Sequence, residues 1–320
     1  MTKPRILVTR LLTPAAEARI ARDYDAITNP QDISRPIEEN IRLAEGCQAI
    51  ICVGTDNFRA ETIAALPDSV KALATQTVGY DHIDLDACKA RGIKVGNTPD
   101  VLTAATADLT MLCLLGAARV AQESGQALRD GKWTRWATNE FLGVDLEGRR
   151  LGILGMGRIG QQVARRAAGF GLKVQYHNRR RLDSELEFGA SYQPDFDAFL
   201  GNSDILAITC PLTPETKGII NATAIAKLPD GAILVNTARG PILEDEAVLA
   251  ALHSGKLFAV GLDVFTSEPQ INPGYLTAPR AYLLPHVGSA TIETRTAMGF
   301  KALDNLDAFF AGKPMPAGLV

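Results

Sequence analysis

The stretch "LGILGMGRIGQQVARR" sets Gly155, Gly157 and Gly160 in Gly-x-Gly-x-x-Gly spacing directly after an apolar run and before a helical one. The first glycine of such a loop permits a tight turn and the second lets the backbone approach a pyrophosphate. The third lets the helix pack on the strand, and the anion sits on the helix N-terminus. With Arg158 and Ile159 between the last two glycines, the loop is a candidate dinucleotide site. Such sites commonly carry a carboxylate about 20 residues further on, which accepts from the ribose hydroxyls. Here the residue 18 positions after Gly160 is Asn178, and Arg179, Arg180 and Arg181 follow it. Donors and positive charge stand where a diol would need an acceptor, and guanidinium groups bind a 2′-phosphate bidentately. NADP(H) is therefore expected in preference to NAD(H).

Three later strand ends carry further reactive side chains. Arg239 follows "AILVN" in "NTARG", Glu268 follows "VGLDVF" in "SEP", and His286 follows "AYLL" in "LLPHVGSAT". Ligands of open α/β sheets bind outside the carboxyl ends of the strands, so an imidazole, a carboxylate and a guanidinium can meet there beside a nicotinamide. His82, His177 and His253 stand in no such constellation and are expected to be structural. Neither a Cys-x-x-Cys pair nor an acidic cluster suggests a metal, and the five cysteines (Cys47, Cys52, Cys88, Cys113, Cys210) suggest no disulfide framework.

The elements that must position these groups alternate throughout. "RILVTR", "QAIICVG", "VKALATQT" and "IKVGNT" are strand candidates of the first hundred residues, with helices such as Pro14 to Arg22 and Asp84 to Arg91 between them. A long helix from about Thr103 to Asp130, apolar nearly all round and then polar, is expected to bridge two domains. Six further runs, from "RLGILGMG" to "AYLLPHVG", fit a doubly wound dinucleotide fold. A last helix, Thr291 to Phe310, should return to the first domain. The expected fold class is α/β, with two doubly wound parallel-sheet domains. A discontinuous flavodoxin-like substrate domain comprises residues 1–99 and 290–320, and a Rossmann dinucleotide domain comprises 100–289. At 320 residues, 46% hydrophobic and 22% charged with net charge −3, the chain has no basic excess for nucleic acid and no apolar run long enough to span a bilayer. "MTKPRILVTR" has no signal-peptide core, so a cytoplasmic location is expected.

Over almost its full length the sequence resembles the D-isomer-specific 2-hydroxyacid dehydrogenases, through "TVGYDHID", "GMGRIG", "CPLTPET", "NTARG", "GLDVF…SEP" and "PHVGSAT". "GYDHID", "TPDVLT", "GKWTRW" and "PHVGSAT" make it most similar to the glyoxylate/hydroxypyruvate reductases among them. The resemblance implies that His286, kept protonated by Glu268, gives a proton to a keto oxygen as hydride arrives from the nicotinamide. Arg239 would clamp the substrate carboxylate and polarise the carbonyl, and the backbone N–H groups of Val78 and Gly79 would meet the same carboxylate as the domains close. Asp263 looks like the family's contact to the nicotinamide carboxamide, with a loop cap as the competing role. Cys210, Pro211, Leu212 and Thr216 would wall the cofactor, Cys210 not acting as a nucleophile, since hydride transfer needs no covalent step. Thr237, Ala238 and Gly288 complete the cofactor set. A homodimer is implied, in which an aromatic from the loop around Trp133, Trp136, Glu140 and Phe141 shapes the neighbour's pocket.

The activity so implied is reduction of a small 2-keto acid, glyoxylate or hydroxypyruvate first, to the 2-hydroxy acid. Another member of the family, acting on 2-ketogluconate, phenylpyruvate or phosphoglycerate, would keep the same catalytic groups and differ near Gly54, Thr55, Asp56, Val78 and Tyr80. Formate oxidation is disfavoured because Glu268 is an acid where that chemistry needs no proton donor. The reading of a different class is a non-catalytic dinucleotide sensor, against which the retained Arg239, Glu268 and His286 argue.

Overall fold

Residues 3–320 are described by a computed structural model. Met1 and Thr2, part of the N-terminal stretch expected to begin without a signal, lie outside them. The chain divides into two compact units, one running up to Leu102 and including Ser289–Val320, the other spanning Thr103–Gly288. The divisions fall after Leu102 and before Ser289, where 99 and 290 were expected.

In the first unit, strands β1 (Arg5–Val8), β2 (Asp25–Ile27), β3 (Ala49–Cys52), β4 (Ala72–Thr75) and β5 (Lys94–Gly96) form a parallel sheet in the order β2-β1-β3-β4-β5. Every residue of β3 and β4 is buried, as strands covered by helices on both faces must be, and that burial explains their unbroken apolar runs. The sequence expectation missed β2, a three-residue edge strand that is exposed or half-buried and carries no periodic signal. The C-terminal helix Ile292–Phe310 packs Ala302, Leu303 and Leu306 into the cluster of Ile6, Val8, Ala72 and Ala74, so one face of this sheet is closed by residues distant in sequence.

In the second unit, β6 (Arg150–Leu154), β7 (Lys173–His177), β8 (Ser191–Tyr192), β9 (Ile205–Ile208), β10 (Ala232–Asn236), β11 (Leu257–Leu262) and β12 (Ala281–Leu283) are all parallel, ordered β12-β11-β10-β9-β6-β7-β8. Six strands were expected; the seventh, β8, is a two-residue edge too short to show a period. The order reverses between β6 and β9, which puts a ligand crevice at the carboxyl ends of that pair.

The long helix expected from Thr103 to Asp130 is instead two helices, Thr103–Ala118 and Ala121–Arg129, bent by 71°, and both belong to the second unit. Sequence character drives the break. The first helix buries nine residues and the second none, so one straight axis cannot serve both. At the break Val120 takes a left-handed backbone (φ 49°), and the Val144 N–H caps the Ala118 carbonyl at 2.8 Å. Gln122 Oε1 and Glu123 Oε1 then accept from the N–H groups of Leu283 and Arg280, which covers the β12 edge. No single helix among the described residues is long and apolar enough to cross a membrane.

Candidate functional site

The loop after β6 shows why each glycine is needed. Gly155 has φ +98°, and a Cβ there would lie 2.5 Å from the Cys210 backbone at the end of β9. Gly160 faces the other way, where a Cβ would meet the Gly155 carbonyl at 2.5 Å, so the helix Arg158–Ala168 can lie against the turn only without a side chain. At Gly157 nothing stands within 4 Å of an added Cβ, and no side chain caps the helix. The middle glycine thus borders open space at a helix N-terminus, the arrangement an anionic pyrophosphate requires.

At the end of β7 the Asn178 Oδ1 accepts from the Met156 N–H at 2.7 Å. Because a backbone N–H can only donate, the amide turns its Nδ2 donors away from the glycine loop. The three arginines then separate. Arg181 pairs with Glu187 (Nε–Oε1 2.8 Å), which also accepts from the Tyr176 hydroxyl. The Arg181 and Tyr176 bonds hold the Glu187 carboxyl below the usual range. Arg181 is therefore a structural ion pair, while Arg179 and Arg180 stand exposed beside Asn178.

At the other strand ends the reactive groups meet. Glu268 is seated by its Oε1, which accepts from the Phe265 N–H at 2.8 Å, and its Oε2 lies 2.6 Å from His286 Nδ1. Burial pushes this carboxyl up, but the bond and charge of His286, the Phe265 N–H and the nearby Arg239 outweigh it and hold Glu268 below the usual carboxylate range. His286 itself has φ +54°, a left-handed conformation that histidine tolerates better than most residues. What fixes it is Asp263: its oxygens accept from the N–H groups of Val287 (2.7 Å) and Gly288 (2.8 Å). Burial drives the Asp263 carboxyl above its usual range against the pull of Val287, His286 and Gly288. Of its two expected roles, the loop cap is the one seen in the geometry.

Arg239 is placed by its neighbours on the chain. Asn236 Oδ1 accepts from the Ala238 N–H and its Nδ2 donates to the Arg239 carbonyl, folding the strand end back on itself. A Cβ on Gly240 would sit 1.9 Å from the Phe265 carbonyl carbon, so only glycine lets this turn lie against the segment that leads to Glu268. Gly240→Ala is accordingly expected to destabilise the protein by about 3 kcal/mol, beyond an ordinary overpacked core, because backbone cannot yield as side chains do. Thermal denaturation checks this; an unchanged midpoint would show that the approach is not tight.

The remaining expected residues fall as follows. Cys210 is buried and its thiol is pushed up to about 11 by that burial, which suits a wall and not a nucleophile. The Thr216 hydroxyl donates to the Pro211 carbonyl (2.8 Å) and accepts from the Thr213 N–H (2.8 Å), so it closes its own loop. Thr110 gives its proton to the Thr106 carbonyl, so Thr237, 2.7 Å away, must donate to Thr110. Thr106 in turn donates to the Gly288 carbonyl at 3.2 Å. These two threonines, four apart on the helix Thr103–Ala118, tie the segments after β10 and β12 together. Sequence reasoning missed them, though polar residues at helical spacing inside an apolar run were the available signal. Val78 and Gly79 lie in the first unit, in the loop after β4. Trp133 and Trp136 are exposed, and no group of His, Cys, Asp and Glu among the described residues could hold a metal.

Comparison with known proteins bears on this arrangement. The family model of the D-isomer specific 2-hydroxyacid dehydrogenase NAD binding domain matches residues 111–288. A glycerate dehydrogenase of Hyphomicrobium methylovorum is 42% identical over 321 residues, covering 100% of both chains. Among solved structures, a glyoxylate reductase from Paecilomyes thermophila superposes with a TM-score of 0.89 at 37% identity, covering 100% of this chain and 99% of that one. An NADPH-dependent glyoxylate/hydroxypyruvate reductase from Sinorhizobium meliloti, in complex with NADP and malonate, does so with a TM-score of 0.89 at 32% identity, covering 100% and 97%.

Proposed function

The chain belongs to the D-isomer specific 2-hydroxyacid dehydrogenases, and from that footing we propose that it reduces small 2-keto acids, glyoxylate or hydroxypyruvate first, to 2-hydroxy acids, with NADPH preferred over NADH. The observation that carries the proposal is the His286–Glu268 pair, 2.6 Å apart at the carboxyl ends of the sheet that bears the glycine loop.

A nicotinamide dinucleotide, when bound, supplies the hydride. Gly155, Gly157, Arg158, Ile159 and Gly160 would hold its pyrophosphate, and Cys210, Pro211, Thr237, Ala238 and Gly288 would line its course. His286 Nε2 faces the keto oxygen and gives it a proton, since Nδ1 is engaged by Glu268 and leaves Nε2 for the substrate. Arg239 pairs with the substrate carboxylate and draws charge from the carbonyl. The N–H groups of Val78 and Gly79 would take a substrate carboxylate; the Val78 carbonyl is engaged by Asn97 and the Gly79 carbonyl by Thr77, and neither N–H meets an acceptor among the described residues. The first unit is thus the substrate domain and the second the dinucleotide domain.

NADPH preference is supported by the outward Nδ2 of Asn178 and by the exposed Arg179 and Arg180. The Sinorhizobium relative is itself NADPH-dependent. We take the protein to be a homodimer, on the strength of Leu128, Trp133, Trp136, Phe141 and Leu142, all exposed within one short segment.

A steady-state panel of glyoxylate, hydroxypyruvate, 2-ketogluconate and phenylpyruvate with both coenzymes tests the activity. Turnover of the first two is expected, preference for either of the others would assign a different member of the family, and no turnover at all would favour a dinucleotide sensor. Arg179→Ala with Arg180→Ala should lower the NADPH-to-NADH efficiency ratio roughly ten- to a hundredfold, the effect of removing charge-assisted hydrogen bonds. An unchanged ratio would refute the phosphate role of these two residues.

A further inference from the structure

The loop Thr77–Tyr80 is held from behind by two separate arms. In one, Thr77 Oγ1 donates to the Gly79 carbonyl at 2.6 Å. A hydroxyl has one proton, so Thr75 Oγ1 must donate to Thr77 (2.7 Å), and His82 Nε2 must donate to Thr75 (3.1 Å). The chain of bonds has a single direction, from His82 to the Gly79 carbonyl. In the other arm Asn97 Nδ2 donates to the Val78 carbonyl at 2.8 Å.

Asn97 is itself gripped on its main chain. Its N–H donates to the Ala317 carbonyl (3.1 Å), and its carbonyl accepts from Asn305 Nδ2 (2.9 Å). Asn305, fully buried on the C-terminal helix, completes the loop of bonds by accepting from the Ala317 N–H at 2.9 Å. The segment beyond lies along β5 as an added antiparallel edge, with Gly96 opposite Gly318 and the Leu319 N–H on the Val95 carbonyl at 2.7 Å. A Cβ on Gly96 would fall 2.7 Å from the Asn305 amide, so the packing leaves no slack.

We propose that Asn97, locked by Asn305 and the C-terminal segment, is a positioning residue for the substrate carboxylate: by holding the Val78 carbonyl it fixes the peptide plane that carries the Gly79 N–H, beside the Val78 N–H, whose own plane is held by the Thr98 N–H on the Thr77 carbonyl at 2.9 Å. This rests on the carboxylate role of those two N–H groups given above. The C-terminal segment therefore acts on substrate affinity without touching substrate. A peptide plane freed at its carbonyl turns its N–H with it, because the two groups are rigidly opposed across one plane.

The test uses the full chain with saturating reduced coenzyme and oxamate as the carboxylate probe. In the wild type, oxamate should shift the amide ¹⁵N–¹H signals of Val78 and Gly79. Asn97→Ala should raise the oxamate Kd and the keto-acid KM about tenfold, the effect of one lost buried hydrogen bond, with kcat and coenzyme Kd unchanged. A general loss of packing would not spare those two quantities. Asn97→Leu, which is close in size but cannot donate to the Val78 carbonyl, should act in the same direction and serves if Asn97→Ala does not fold. If the two amides shift in the wild type while both variants bind oxamate normally, the positioning role is overturned and the carboxylate role survives. If the wild-type amides do not respond to oxamate, the carboxylate role itself falls.

Discussion

His286→Asn is expected to lower kcat for keto-acid reduction by about 10²- to 10⁴-fold, the usual worth of a positioned general acid. Asparagine is the informative replacement because the backbone at this position has φ +54°, which asparagine accepts and alanine resists. The bonds from Asp263 to the N–H groups of Val287 and Gly288 do not involve the imidazole, so the loop should survive the change. Coenzyme affinity should move little. Glu268 gives the same experiment a second axis. Its carboxyl is held below the usual range, so it stays charged throughout the interval in which an imidazole could lose its proton. Glu268→Gln should lower kcat as well, because the charged acceptor that seats Nδ1 and orients the ring is lost. The stability linkage of Glu268 follows from its own depressed carboxyl. A carboxyl with a depressed folded pKa contributes stability above its unfolded pKa and loses it as pH falls through the folded value, so the Glu268 contribution should vanish only on the acid side. Full-speed reduction by His286→Asn would remove the proton-donor role altogether.

Arg239→Lys should lower kcat/KM for keto acids by about 10²- to 10³-fold, with both kcat and KM affected, although positive charge is retained. The reason is geometric. A guanidinium offers a fork of fixed donors that can hold a carboxylate and reach its neighbouring carbonyl together, whereas an ammonium offers a point. The backbone that carries Arg239 is set by Asn236 and by the close approach of Gly240 to Phe265, neither of which depends on the side chain. Nη1 also donates to the Ala238 carbonyl at 2.8 Å, which ties the guanidinium to its own strand end. Steady-state kinetics with glyoxylate at fixed coenzyme would show the loss. A lysine variant working at the parent rate would mean that charge alone suffices and that the fork has no part.

Much of the fold was legible because the strands buried on both faces are short, nearly all apolar and bounded by turn residues. β3, β4, β9 and β10 are of this kind, every residue buried. The strands that escaped notice, β2 and β8, are edges of three and two residues, where no periodicity can accumulate. The helix after Leu102 was legible as helical but not as broken, since the break depends on Val144 reaching the Ala118 carbonyl from further along the chain. The candidate site shows the same division. Arg239, Glu268 and His286 stood out because each sits at the end of a recognisable strand, whereas Asn236 and Gly240, which set the turn at Arg239, carry no signal of their own chemistry, and Thr106 and Thr110 show only as polar residues at helical spacing.

Sequence alone therefore determined which reactive groups exist, their order along the chain and the strand ends that carry them, because those features are written in local spacing and local apolarity. Only the tertiary structure decided how identical-looking groups divide their work. It drew Arg181 onto Glu187 while leaving Arg179 and Arg180 exposed, and it turned the Asp263 carboxylate onto the loop behind His286. A hydrogen bond is chosen by distance in space, and packing, which brings together residues tens of positions apart, is what sets that distance.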